Sequence, residues 1–138
     1  FDLVGAETQV FEAQLQLEAD DFAHADALAY GAMLQAAKGL IKTEFIDISA
    51  DPNQIVTEFR SRFFDTQLFF DKYAGGKFAQ YLFRRHARGE RPADRDTARQ
   101  LIEEAQLFLE ATHACQARLA SLPVLPTASG GPALSERP

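Results

Sequence analysis

Four places in this 138-residue chain carry residue types that could do chemistry. Asp21-x-x-His24 and Glu110-x-x-His113 each set a carboxylate one helical turn from an imidazole, a spacing di-metal bundles use together with two further inward carboxylates. Both histidines fall at the edges of apolar stripes, and the segment 77–88 holds no Asp or Glu, so no metal ligand is assigned. Cys115 follows His113 by two positions; on a helix such residues diverge by ~200° and share no proton, so Cys115 reads as a small buried thiol. Gly75-Gly76-Lys77 ahead of a helical pattern has the look of a phosphate loop, whose amides and Lys hold an anion at a helix start. The nucleotide-binding pattern needs Gly where Asp71 stands and Ser or Thr where Phe78 stands, after a strand, so no cofactor-binding residue is assigned there. The fourth place is Arg84-Arg85-His86 with Arg88, cations at a helix end where the dipole favours them. With Lys77 they form the candidate interaction or anion-binding set, and no catalytic residue is assigned.

The elements that must position these groups follow from periodicity. Residues 1–18 contain Phe11, Ala13, Leu15 and Leu17 alternating with Glu12, Gln14, Gln16 and Glu18, which is strand periodicity. A lone strand has no partner in a helical chain, so this segment is expected to be an extended arm, with Phe11, Leu15 and Leu17 as its contacts. Residues 19–121 are expected to form the bundle domain. Its first long helix covers 19–42 with Ala23, Ala27, Tyr30, Leu34, Ala37 and Ile41 on one face. Asp51-Pro52-Asn53-Gln54 starts a second helix, with a cap, a Pro at the first helical position and a capping-box residue. Ile55, Val56, Phe59, Phe63 and Phe64 give its apolar face, and it fades near Asp65.

A connector with buried aromatics leads to a third helix, Lys77 to Arg88, closed by Gly89. Asp94 and its neighbours restart the chain into a last long helix carrying Ala98, Leu101, Ile102, Ala105, Phe108, Leu109, Thr112, Cys115 and Leu119 in one stripe. Residues 122–138 hold four of the six prolines and read as a flexible tail. The fold class expected is all-α, an up-and-down four-helix bundle with an N-terminal arm. Phe63 to His86, with six of the chain's twelve Phe, is its expected organiser.

Composition narrows the function classes. Hydrophobic residues at 46% and charged residues at 25% are ordinary globular values. No apolar run approaches the ~20 residues of a membrane span, so no membrane partner is expected. The chain opens on Phe1 without a leader pattern and reads as a piece of a longer protein. One cysteine forms no internal disulfide, and a cytoplasmic location is the expectation. The net charge of −6 argues against nucleic-acid backbone binding as the main role. That charge is unevenly placed: residues 1–58 hold eleven acids and two bases, whereas residues 77–99 hold seven bases and three acids.

The long first and last helices make the chain resemble the HEPN superfamily of helical domains, many of them dimers and some of them metal-independent ribonucleases. Those ribonucleases carry an Arg, then four to six intervening residues, then a His. Positions 79–81 ahead of His86 are Ala, Gln and Tyr, positions 106–108 ahead of His113 are Gln, Leu and Phe, and His24 fails likewise. More narrowly, the stretches Phe64 to Phe83 and Ile102 to Leu119 resemble the helical C-terminal domain appended to certain bacterial nitrite/sulfite reductase proteins. That resemblance implies a non-catalytic accessory domain that docks on the rest of its parent or forms a homodimer. Sirohaem and a four-cysteine iron–sulfur cluster would then lie in the parent and not in this domain. The alternative it implies is a HEPN-type nucleotide- or RNA-binding domain using His86 with Arg84, Arg85 and Lys77; a di-metal bundle is the third reading.

Overall fold

The computed structural model describes residues 3–44, 46–89 and 93–121. They form five α-helices: α1 Val4–Glu18, α2 Phe22–Lys42, α3 Pro52–Phe59, α4 Lys77–Arg88 and α5 Arg95–Ala120. The expected helices at 19–42, 52–65, 77–88 and 95–120 are all present. The expected tail, 122–138, lies outside the described residues.

The extended arm is overturned. Residues 4–18 are helical, with Ala6, Val10 and Ala13 buried at spacings of four and three. The segment is rich in Ala, Leu, Gln and Glu, good helix formers, and poor in the β-branched residues that favour strands. Its alternation also hides helical spacing, since Phe11 and Leu15 are themselves four apart. The helix ends in a Schellman-type turn: Asp20 has φ 63°, Asp21 N donates to Gln16 O at 2.9 Å and Asp20 N to Leu17 O at 3.1 Å. Asp21 then caps α2 by accepting from His24 N. One short segment thus closes α1 and opens α2.

In α2 the inward face is Ala25, Asp26, Ala29, Ala32, Met33, Ala36, Ala37, Leu40 and Ile41. Ala23 and Ala27, expected inside, are exposed. An Ala-rich helix is apolar on several faces, so spacing alone does not select the buried one. Small residues let α2 pack between α1 and α5 at close range. Asp20 and Phe22 meet Arg95 at the start of α5, and Thr43 and Glu44 meet Gln116 and Leu119 near its end. α2 and α5 therefore run in the same direction. α1 and α4 run opposite to them, α4 pairing Tyr81, Arg84 and Arg88 with Gln100, Leu101 and Glu104.

α3 begins at the expected cap, Asp51, whose carboxylate accepts from Asn53 N. Gln54 does not bond the cap's own N–H; it accepts from Ser49 N at 3.1 Å, pinning the preceding loop instead. The helix then widens into a π-helical turn, Arg60–Phe64, in which Asp65 N reaches Arg60 O at 2.8 Å. Phe59 is fully buried at the centre of an aromatic cluster, with ring centroids 5.0 Å from Phe69, 5.6 Å from Phe108 and 6.0 Å from Phe63 and Phe83. Phe64 stands edge-on to Phe83 at 5.1 Å.

The Gly-Gly break serves this cluster. Gly75 has φ 62°, and a Cβ on Gly76 would meet Phe64 Cε1 at 2.7 Å. Farther along, Asp94 caps α5 by accepting from Thr97 N at 2.8 Å, and that backbone hydrogen bond holds its carboxyl below the usual range.

Candidate functional site

Among the described residues three surface features stand outside the core: the basic end of α4, a groove between α1 and α5, and the exposed Leu68, Phe70 and Tyr73 of the connector, whose aromatics, expected to be buried, are so only in part. At the first, the structure divides the five-residue set. Lys77 is exposed at the opposite end of α4, ~16 Å along the helix from Arg88. Arg85 is only 4% exposed, which corrects its place among surface contacts. It donates through Nε to Asp26 Oδ2 at 3.0 Å and through Nη1 to Gly89 O at 2.9 Å, while its guanidinium lies 4.3 Å from the centroid of the Tyr30 ring. Arg88 Nη2 donates to the other oxygen of Asp26 at 2.5 Å. His86 Nδ1 is 2.7 Å from the Tyr30 hydroxyl. The helix-end cations and imidazole thus tie α4 to α2.

Asp26, the hub, is 3% exposed. The only sequence signal for it is an acid at four-residue spacing from Tyr30 and three from Ala29 in an Ala-rich stripe; its partners stand 59 and 62 positions away. Beside it, Tyr81, Arg84, Arg88, Thr97, Gln100 and Glu104 line a cleft of about 180 Å³. Arg84 Nη2 lies 3.8 Å from Glu104 Oε2. Three guanidinia face two carboxylates, Asp26 and Glu104, leaving a single net positive charge.

The Gly75-Gly76-Lys77 loop supplies its own anion. Tyr73 N and Ala74 N both donate to Asp71 Oδ1, at 2.8 and 2.7 Å, and Asp71 and Gly75 exchange backbone hydrogen bonds. Of the amides a phosphate would use, Tyr73 N and Ala74 N are engaged by that carboxylate, Gly75 N by Asp71 O and Lys77 N by Ala74 O. The two carboxylate–imidazole pairs do not converge either. Asp21 and His24 sit beside the start of α5, about 22 Å along that helix from Glu110. Among the described residues, no group of three or more His, Cys, Asp or Glu is placed to hold a metal ion. Cys115 is buried, its thiol 3.3 Å from Leu68 O, and burial raises its pKa, with Arg118 opposing in the smaller measure.

The second feature was not legible as a site. Leu3, Glu7, Val10, Phe11 and Gln14 of the α1 side face Gln106, Leu109, Glu110 and His113 of α5 across an open groove of about 650 Å³. Phe11 and Leu15 are 59% and 47% exposed, whereas Leu17 is half-buried against the core. Two of the three expected arm contacts thus face solvent, on a helix.

No protein-family model, curated protein or solved structure matches this chain. No helix among the described residues is long and apolar enough to cross a membrane.

Proposed function

We propose that the chain is a non-catalytic helical interaction module that docks on another polypeptide through the outer face of α1 and its groove with α5. The observation that carries this reading is the pair Phe11 and Leu15, large apolar side chains about half exposed on one helix face beside an open groove. Apolar surface held in water next to a concavity is the usual mark of a protein contact. The ionic groups at the end of α4 support the same reading, because Asp26, Arg85 and Arg88 spend their hydrogen bonds on one another. On this reading α2 to α5 make the HEPN-like four-helix unit implied by the resemblance, and α1 is a further helix that presents the contact surface. The larger partner is the remainder of a parent protein or a second copy.

Replacing Phe11 with benzoylphenylalanine in the producing cells and irradiating tests this. A discrete covalent adduct is expected at Phe11 and not with the same group at Ala27, exposed on α2. Equal labelling at both positions, or none at Phe11, overturns the reading.

A further inference from the structure

The groove between α1 and α5 is lined by charge of one sign. Glu7 and Glu110 are exposed on its two walls, with no cation paired to either among the described residues. Three other glutamates are matched, Glu44 and Glu58 with Arg62 and Glu104 with Arg84, whereas Glu12, Glu18 and Glu103 stand exposed and outside the groove lining. No Lys or Arg lines the groove, α1 contains none, and the first cation of the whole chain is Lys38. Between the two carboxylates lie Val10, Phe11 and Leu109, an apolar floor and wall.

We propose that this groove takes a basic amphipathic helix of a partner polypeptide, its apolar side on Val10, Phe11 and Leu109 and its cations over Glu7 and Glu110. The inference rests on the interaction-module reading and adds the chemistry of the partner. Both walls are helices whose backbone hydrogen bonds are internal, so they offer no edge to an extended strand. A helix, whose own backbone is satisfied, suits such walls. Leu3 to Gln14 spans ~16 Å, three turns, which matches an occupant with apolar anchors at i, i+4 and i+7. A second copy fits less well, because apposing two α1 faces sets Glu7, Glu12 and Glu18 of one against the same acids of the other.

The test uses the full chain and fluorescent synthetic helices of roughly 18 residues with Leu on one face and Lys, Gln or Glu on the other. The Leu/Lys helix is expected to bind with Kd on the order of micromolar and to weaken as salt rises. Phe11→Asp should weaken it at least about tenfold, and Glu7→Gln with Glu110→Gln roughly fivefold. The charge-matched pair Asp47→Asn with Asp65→Asn, exposed carboxylates away from the groove, should leave it unchanged. Circular dichroism verifies that each variant is folded.

Equal binding of the Leu/Gln helix overturns the charge assignment while leaving an interaction module in place. Equal weakening by the Asp47/Asp65 variant reduces the binding to general attraction and overturns the site. A dimer in sedimentation that Phe11→Asp dissolves makes the occupant a second copy and overturns the basic partner. Binding of no helix overturns the proposal, and photo-crosslinking at Phe11 then decides the module reading separately.

Discussion

At the residue scale the decisive group is Asp26. It faces two guanidinia while nearly sealed from water, and truncating one member of a buried ion set leaves the others uncompensated. Asp26→Ala is therefore expected to lower unfolding free energy by about 3–5 kcal/mol, measured by urea denaturation, whereas Arg84→Ala, which removes an exposed guanidinium 3.8 Å from Glu104, changes it by less than about 1 kcal/mol. Asp26→Leu combined with Arg85→Met should recover most of the loss, since apolar packing replaces such sets at little cost. Sequence reading placed Arg85 and His86 on an interface because cations at a helix end are ordinarily solvated; the partner that draws Arg85 inward is 59 positions away and invisible to local pattern.

Cys115, by contrast, was legible as a buried thiol from its place in the apolar stripe of α5. Burial raises its pKa above the unfolded value, so its contribution to stability is whole below the unfolded pKa of about 8.5 and is lost as pH rises through the folded one. Two results are expected. Alkylation of the native chain by iodoacetamide is slow and accelerates with unfolding. The stability gap between the native chain and Cys115→Ala narrows as pH rises above the unfolded thiol pKa of about 8.5, because the variant lacks this titration.

At the element scale, the Gly-Gly break is set by sterics from an aromatic cluster. The π-helical turn and the loop after it bring Phe59, Phe63, Phe64 and Phe69 to one side, and Phe64 fills the space where a side chain at Gly76 would stand. Gly76→Ala should cost about 1–3 kcal/mol in chemical denaturation, because Phe64 is held against Phe83 and its ring must shift. The same substitution in a Phe64→Leu background should cost clearly less, and a double-mutant cycle reads the difference. An undiminished cost in that background would show that backbone conformation, and not the ring, requires glycine. Helices α2 to α5 were legible because caps and stops are local: Asp51-Pro52, Asp94 and Gly89 mark their ends in the sequence. The inward face of α2 was not, since Ala-rich stripes give no amphipathic contrast, and the π-helical turn has no residue signature at all.

At the scale of the whole molecule, α1 decides where the domain begins. Reading residues 1–18 as an arm makes residues 19–121 a complete folding unit, with Phe11, Ala13, Leu15 and Leu17 on the covered side. The structure places Ala6, Val10 and Ala13 in the same core as Met33, Leu40 and Leu109, and leaves Phe11 in water. The two phases make opposite demands on neighbouring residues. Val10→Ala removes two methyl groups from a packed site and should destabilise by about 2 kcal/mol, while Phe11→Ala, though it deletes far more apolar surface, should change stability by no more than about 0.5 kcal/mol. Removing residues 1–18 uncovers the Ala face of α2 and should abolish a single cooperative thermal transition or shift it sharply downward. An unchanged midpoint on truncation, or a larger loss from Phe11→Ala than from Val10→Ala, would restore the arm. Phe11 thus costs the isolated fold almost nothing to replace, and a large apolar side chain that stability does not require is the residue on which a binding role can be tested without unfolding the chain.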